Sequence, residues 1–174
     1  MIGALSPALA PAIAAAQAHA HQAAKDPKGA SLEFFNAADA AEIAAIASQI
    51  LPSDDVPGAQ EAGAIYFIDR ALATFDAGQQ DLYRRGLIEL RKKRLELFPG
   101  SDTVAGLPAE QQVVLARAIE ESEFFEAVRV HTLLGFLGDP SYGGNRGRVG
   151  WKHIGFEDRM AWQPPFGYYD GEPK

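Results

Sequence analysis

Between residues 32 and 136, apolar side chains recur at three- and four-residue spacing in five successive stretches, each closed by proline, glycine or an Asn/Asp turn signal. Such spacing gathers side chains on one face of an α-helix, whereas a half-buried strand requires strict alternation, and no alternating run occurs here. Asn36 is placed to cap the first helix, its side-chain oxygen accepting from free N–H groups of the opening turn. Ile43, Ile46 and Ile50 follow at helical spacing, and Pro52 stops the helix. The turn-forming stretch Ser53-Asp54-Asp55-Val56-Pro57-Gly58 leads to a second helix, expected over 59–75 with Ile65, Ile68, Leu72 and Phe75 buried. After Asp76-Ala77-Gly78 a longer third helix carries Leu82, Leu87, Leu90 and Leu97 and ends at Pro99-Gly100. A fourth begins near Pro108, since proline lacks an N–H that the first turn does not need, and buries Val114, Leu115 and Ile119. The fifth, from about Glu123, holds Phe124, Phe125, Val128, Leu133, Leu134 and Phe136. These patterns predict an all-α fold, a single bundle-like domain of about five helices over 32–136. At 174 residues the chain is long enough for one core of useful size.

Both ends differ from this middle. No Asp, Glu, Lys or Arg precedes Lys25, and residues 1–24 are rich in alanine. An apolar stretch over 5–16 leads to Ala16-Gln17-Ala18 and Ala18-His19-Ala20, the pattern of a secretory signal and its cleavage region. The competing reading is a flexible alanine-rich leader, because no basic residue precedes the stretch and Pro7 and Pro11 interrupt any helix. Neither this stretch nor any other is long and apolar enough to span a bilayer.

After Leu137 a different composition begins. Seven glycines fall between Gly135 and Gly155, and seven of the chain's seventeen aromatic residues lie between Tyr142 and Tyr169. This segment, 137–174, is expected to be an irregular arm: too rich in glycine for helix and too aromatic for a disordered linker. Its rings must be covered by the chain's own helices, by another chain, or by both. Asp139-Pro140 starts a turn, Gly143-Gly144 permits positive φ, and Asn145 can bond back to nearby backbone. As a partner interface the arm would present Tyr142, Gly143, Gly144, Asn145, Arg146, Trp151, Phe156 and Trp162. Tyr142, Trp151 and Trp162 would be its anchors, since Tyr, Trp and Arg dominate interface energetics. The alternative is a structural loop packed on its own helices.

Several classes of function are disfavoured. A net charge of −7 opposes general attraction to nucleic-acid phosphates. The absence of cysteine removes disulfides, thiolate metal ligands and iron–sulfur ligation. Gly144-Asn145-Arg146-Gly147-Arg148-Val149-Gly150 lacks both the spacing and the strand–helix flanks of a dinucleotide loop, so no cofactor site is expected in this chain. No paired Glu-x-x-His suits a di-iron bundle, and no G-x-S-x-G marks a nucleophile. Catalytic, cofactor-binding and metal-ligating residues are therefore expected to be none. His131 reads as a hydrogen-bonded core or interface histidine. The run Arg91-Lys92-Lys93-Arg94, with Arg84 and Arg85, reads as a solvated face with ion pairs; Arg94, on the apolar stripe, is expected to reach water or a carboxylate. A second functional class remains: an independent sugar-binding protein or enzyme whose cleft between helices and arm uses His131, Tyr142, Asn145 and Arg146.

Two blocks carry a family resemblance. Ile50-Leu51-Pro52-Ser53-Asp54-Asp55, Pro57-Gly58-Ala59 and Phe67-Ile68-Asp69-Arg70 resemble the opening of gluconate 2-dehydrogenase subunit 3 proteins. Gly135-Phe136-Leu137-Gly138-Asp139-Pro140-Ser141-Tyr142-Gly143-Gly144-Asn145, followed by Gly150-Trp151-Lys152-His153-Ile154-Gly155-Phe156, is similar to that family's most distinctive block. The resemblance extends over about 33–169. It implies a small, gamma-type subunit without a redox centre, in a periplasmic complex that is membrane-associated through its other subunits. The implied partners are a large GMC-type flavoprotein, whose FAD takes hydride from a sugar or polyol, and a multihaem cytochrome c carrying haem c. The small subunit's implied role is to stabilise the flavoprotein and escort it through twin-arginine export. One departure is that no Arg-Arg pair precedes the leader in this sequence.

Overall fold

The structure, a computed structural model, describes residues 31–159 and residue 161. The leader at 1–24 and the distal arm with Trp162 lie outside the described residues. Among those described there are seven α-helices and no strand: α1 (Ala37–Ile50), α2 (Ala59–Ala62), α3 (Ala64–Ala73), α4 (Gln80–Leu97), α5 (Ala109–Ile119), α6 (Glu123–Leu137) and α7 (Val149–His153). Single turns of 3-10 helix stand at Ala77–Gln79, Pro140–Tyr142 and Arg146–Arg148.

Local chemistry explains most boundaries. Asn36 caps α1, its side chain accepting from Asp39 N–H at 2.9 Å, and Ser122 caps α6 in the same way through Phe125 N–H at 3.1 Å. Pro108 sits one residue before α5, at its cap, where its missing N–H costs nothing. The expected second helix is two helices, because Gly63 adopts a left-handed conformation (φ 65°, ψ 36°) between α2 and α3. A Cβ there would lie 2.6 Å from the Arg146 side chain, so the break needs glycine twice over, for its φ and for its space. The other unexpected helix, α7, lies within the arm. At five residues it is too short to form alone, so its stability comes from what it packs on.

The core is continuous from α1 to α6. Ile43, Ile46, Ile68, Leu72, Tyr83, Leu90, Val104, Leu115 and Val128 are fully buried. The most extensive packing joins α3 to α6. Four residues expected inside are exposed: Phe75, Leu97, Val114 and Leu134. Phe75 lies beyond the end of α3, 56% exposed, because the helix stops at Ala73. Leu97 is the last residue of α4, Val114 lies off the narrow stripe by which α5 buries Leu115 and Ala116, and Leu134 lies beside the inner face of α6 set by Val128, His131, Thr132 and Gly135. Periodicity gives the direction of a stripe but not its width.

Arg94 is also handled differently from the expectation. It is buried, and its Nη1 donates to the Ser101 backbone carbonyl at 2.6 Å rather than reaching water or a carboxylate. The loop after α4 folds back over the helix end and supplies the acceptor. A second buried charge fastens the start of the described chain. Asp69 on α3 is 1% exposed and accepts from the backbone N–H groups of Glu33 (2.7 Å), Phe34 (3.1 Å) and Phe35 (2.8 Å).

Candidate partner interface

The arm begins where α6 ends and folds back on the helices. Gly138 N–H closes α6 onto Leu134 O at 2.7 Å, and the Asp139 side chain accepts from Ser141 N–H at 2.8 Å to set the next turn. Asn145 then ties the loop to three places at once. Its N–H donates to Gly135 O (2.6 Å), its Nδ2 to Gly138 O (2.9 Å), and its Oδ1 accepts from Gly150 N–H (2.9 Å). The residue is fully buried and holds φ 44°, a conformation asparagine tolerates better than other non-glycine residues.

The neighbouring glycines allow this close approach. A Cβ on Gly144 would come within 2.1 Å of Gly135 O, and one on Gly150 within 1.9 Å of Phe136 O. One on Gly143 would meet Arg70 Nη1 at 2.0 Å. Burial pushes the pKa of the Arg70 guanidinium down, opposed by the nearby Glu33 carboxylate and reinforced by Arg146. Arg146 lies half-buried with its guanidinium 3.7 Å from the centre of the Tyr66 ring, a cation–π contact.

Trp151, on α7, is only 8% exposed, and its Nε1 donates to Leu137 O at 2.6 Å. The Phe156 ring meets it edge-on at 5.0 Å. Of the eight residues expected to face a partner, the structure therefore places Gly143, Gly144, Asn145 and Trp151 inside the chain's own packing. Tyr142 (37% exposed) and Phe156 (47% exposed) remain on the surface. Trp162 lies outside the described residues. Tyr142 makes an edge-to-face contact with Phe75 at 6.2 Å, so the two exposed rings form one aromatic edge. Phe75 was not expected there; its place between a helix end and a glycine turn is the only sequence sign of it.

His131 is the remaining polar residue singled out by sequence. It is buried, with Nδ1 2.8 Å from the Tyr83 hydroxyl and Nε2 2.8 Å from Asp76 Oδ2. Burial, with a smaller contribution from the Asp76 charge, pushes the pKa of the Tyr83 phenol up, so Tyr83 is a donor. In the neutral imidazole, Nδ1 then accepts and Nε2–H donates to Asp76. The hydrogen-bonded core histidine is what the structure contains. Tyr83→Phe is expected to cost about 1–2 kcal/mol, because it leaves Nδ1 without its donor. Urea unfolding of the isolated chain measures this, and an unchanged midpoint would show that the bond contributes nothing net.

The side-chain polar atoms of both His131 and Asn145 are engaged within the chain. What emerges is a small all-α protein whose glycine-rich segment closes its own fold and leaves an aromatic edge outside. The chain belongs to the gluconate 2-dehydrogenase subunit 3 family, whose model matches residues 37–158, from the first residue of α1 to the stretch beyond α7. No curated protein and no solved structure matches it. Membership makes it a small subunit of a gluconate 2-dehydrogenase type of complex. None of its described helices is long and apolar enough to cross a membrane.

Proposed function

We propose that this chain is the non-catalytic subunit that stabilises a GMC-type, FAD-dependent sugar or polyol dehydrogenase. In this reading the flavin belongs to the large subunit, electrons pass on to a haem c-bearing cytochrome, and the complex works in the periplasm after twin-arginine export in which this chain is the escort. The family match over 37–158 carries the proposal. The arm geometry supports it: Tyr142 and Phe156 are exposed on a segment made rigid by Asn145 and Trp151, and rigid aromatic groups lose little entropy on docking. Gly143, Gly144, Asn145 and Trp151 then hold the interface and Arg146 borders it, while Trp162, outside the described residues, is kept as a further proposed anchor.

Co-expression with the large flavoprotein, followed by capture of the small chain, tests the assignment. The expected product is a yellow, stoichiometric complex that reduces an artificial acceptor when sugar is added. Omitting the small chain is expected to abolish soluble flavoprotein. A colourless capture, with the small chain folded alone, would point instead to an independent binding protein.

A further inference from the structure

The aromatic edge is not the only exposed feature with the chemistry of an interface. Along the outward face of α4, Ile88 (61% exposed) and Leu95 (48% exposed) stand two turns apart. By helical register Arg84 and Arg91 flank them on one side, and Arg85 and Lys92 on the other. This helix carries Arg84, Arg85, Arg91, Lys92, Lys93 and Arg94, although the whole chain has a net charge of −7. Its ion pairs are largely local and exposed: Arg84 with Asp81 at 2.7 Å, Lys92 with Glu89 at 3.8 Å and Lys93 with Glu96 at 2.8 Å. Exposed pairs of this kind contribute little, so a partner's carboxylates can replace them at small cost.

A cavity of about 160 Å³ opens beside the stripe, lined by Phe34, Phe35, Asp39, Arg84, Leu87 and Arg91. Phe34, Phe35 and Leu87 provide its apolar lining. The Arg84 guanidinium lies over the Phe34 ring at 5.2 Å, and Arg91 is paired with Asp39. The volume is below that of a typical small-molecule site, and suits a single side chain instead.

We propose that this face is a second docking surface, which receives an acidic segment of the large subunit. One apolar side chain of that segment enters the Phe34–Leu87 cavity, and its carboxylates meet Arg84, Arg85 and Lys92. The proposal rests on the small-subunit reading and adds where, and by what chemistry, the partner binds. Charge complementarity selects the occupant: a cationic stripe on an acidic protein attracts an acidic surface and disfavours a basic one. A cavity beside the stripe favours a protein segment over a lipid surface, which would call for a broader apolar face than two aliphatic residues.

The test uses the full chain and the large flavoprotein, with affinity measured as salt is raised. R85E/K92E and I88D alter exposed positions, so the melting temperature of the chain is expected to stay the same. The charge-reversed variant is expected to bind about tenfold more weakly and to lose much of the salt dependence; I88D is expected to weaken binding at every salt concentration. Tight wild-type binding that neither variant changes would overturn the proposal and leave the small-subunit reading standing. Absence of wild-type binding would overturn both. If wild-type chain sediments with phosphatidylglycerol vesicles, and R85E/K92E abolishes this while subunit binding is unaffected, the face meets a membrane and the proposal falls.

Discussion

Trp151→Ala is expected to destabilise the isolated chain by about 3–5 kcal/mol, the usual cost of emptying a buried aromatic site. The ring is covered by the chain's own residues, among them Phe156 at 5.0 Å, and its Nε1 donates to Leu137 O at 2.6 Å. Removal leaves a cavity under α7 and an unmatched carbonyl at the end of α6. Since α7 has five residues, it has no independent means of remaining helical, and the segment after Asn145 should loosen with it. Urea unfolding of the isolated chain gives the magnitude, and tryptophan fluorescence is avoided as the probe because the substitution removes a reporter. If the unfolding midpoint stays put while affinity for the flavoprotein drops, Trp151 is a partner anchor and not a structural one.

The second large effect is expected at Asp69. Its carboxylate accepts from three consecutive backbone N–H groups and is itself 1% exposed. Asp69→Ala removes the acceptor of all three N–H groups, and only the amide of Phe35 is fully buried, so the other two can recover part of the loss from water. A net cost of about 3 kcal/mol follows from one buried orphan and two weakened donors. Phe35 would lose its fastening as well; its ring lies 5.9 Å from that of Tyr83 in the core. Hydrogen exchange at Glu33, Phe34 and Phe35 should accelerate more than exchange in α6. Asp69→Asn keeps an oxygen in the place of Oδ1, which accepts from Phe34 and Phe35, and turns an N–H donor only toward the part-buried Glu33 N–H, so it is expected to cost less than alanine. An alanine variant of near-native stability would show that acceptance contributes little at this position, and an asparagine variant as unstable as alanine would show that the carboxylate's charge is required.

These two sites also show how far sequence can be read. Trp151 was recognisable as important from its place among glycines, but two explanations were open: cover by the chain's own helices or cover by another chain. Aromatic content states that a ring needs covering and says nothing about what covers it. Asp69 gave a weaker signal, an acidic residue inside the apolar run Phe67-Ile68-Asp69-Arg70-Ala71-Leu72. Its partners lie 34 to 36 residues earlier, beyond the reach of any local pattern.

What the sequence determined by itself was local. The all-α class, the cap at Asn36, the helix starts near Pro108 and Glu123, and the bonding of Asn145 to nearby backbone follow from spacing, φ preference and donors within a few residues. What tertiary structure decided was where two distant surfaces meet. Gly63 breaks a helix that periodicity would continue, because Arg146 must pass beside it. Gly144 and Gly150 press an apparently irregular arm onto α6, and the five residues after Arg148 become helical on that support. Phe75 and Leu134 are as apolar as their buried neighbours and still face outward, because burial depends on which neighbour arrives and from which side. Turn geometry and hydrogen-bond donors act within a few residues and are written in the sequence. Close packing acts between residues far apart in the chain, and only the folded arrangement contains it.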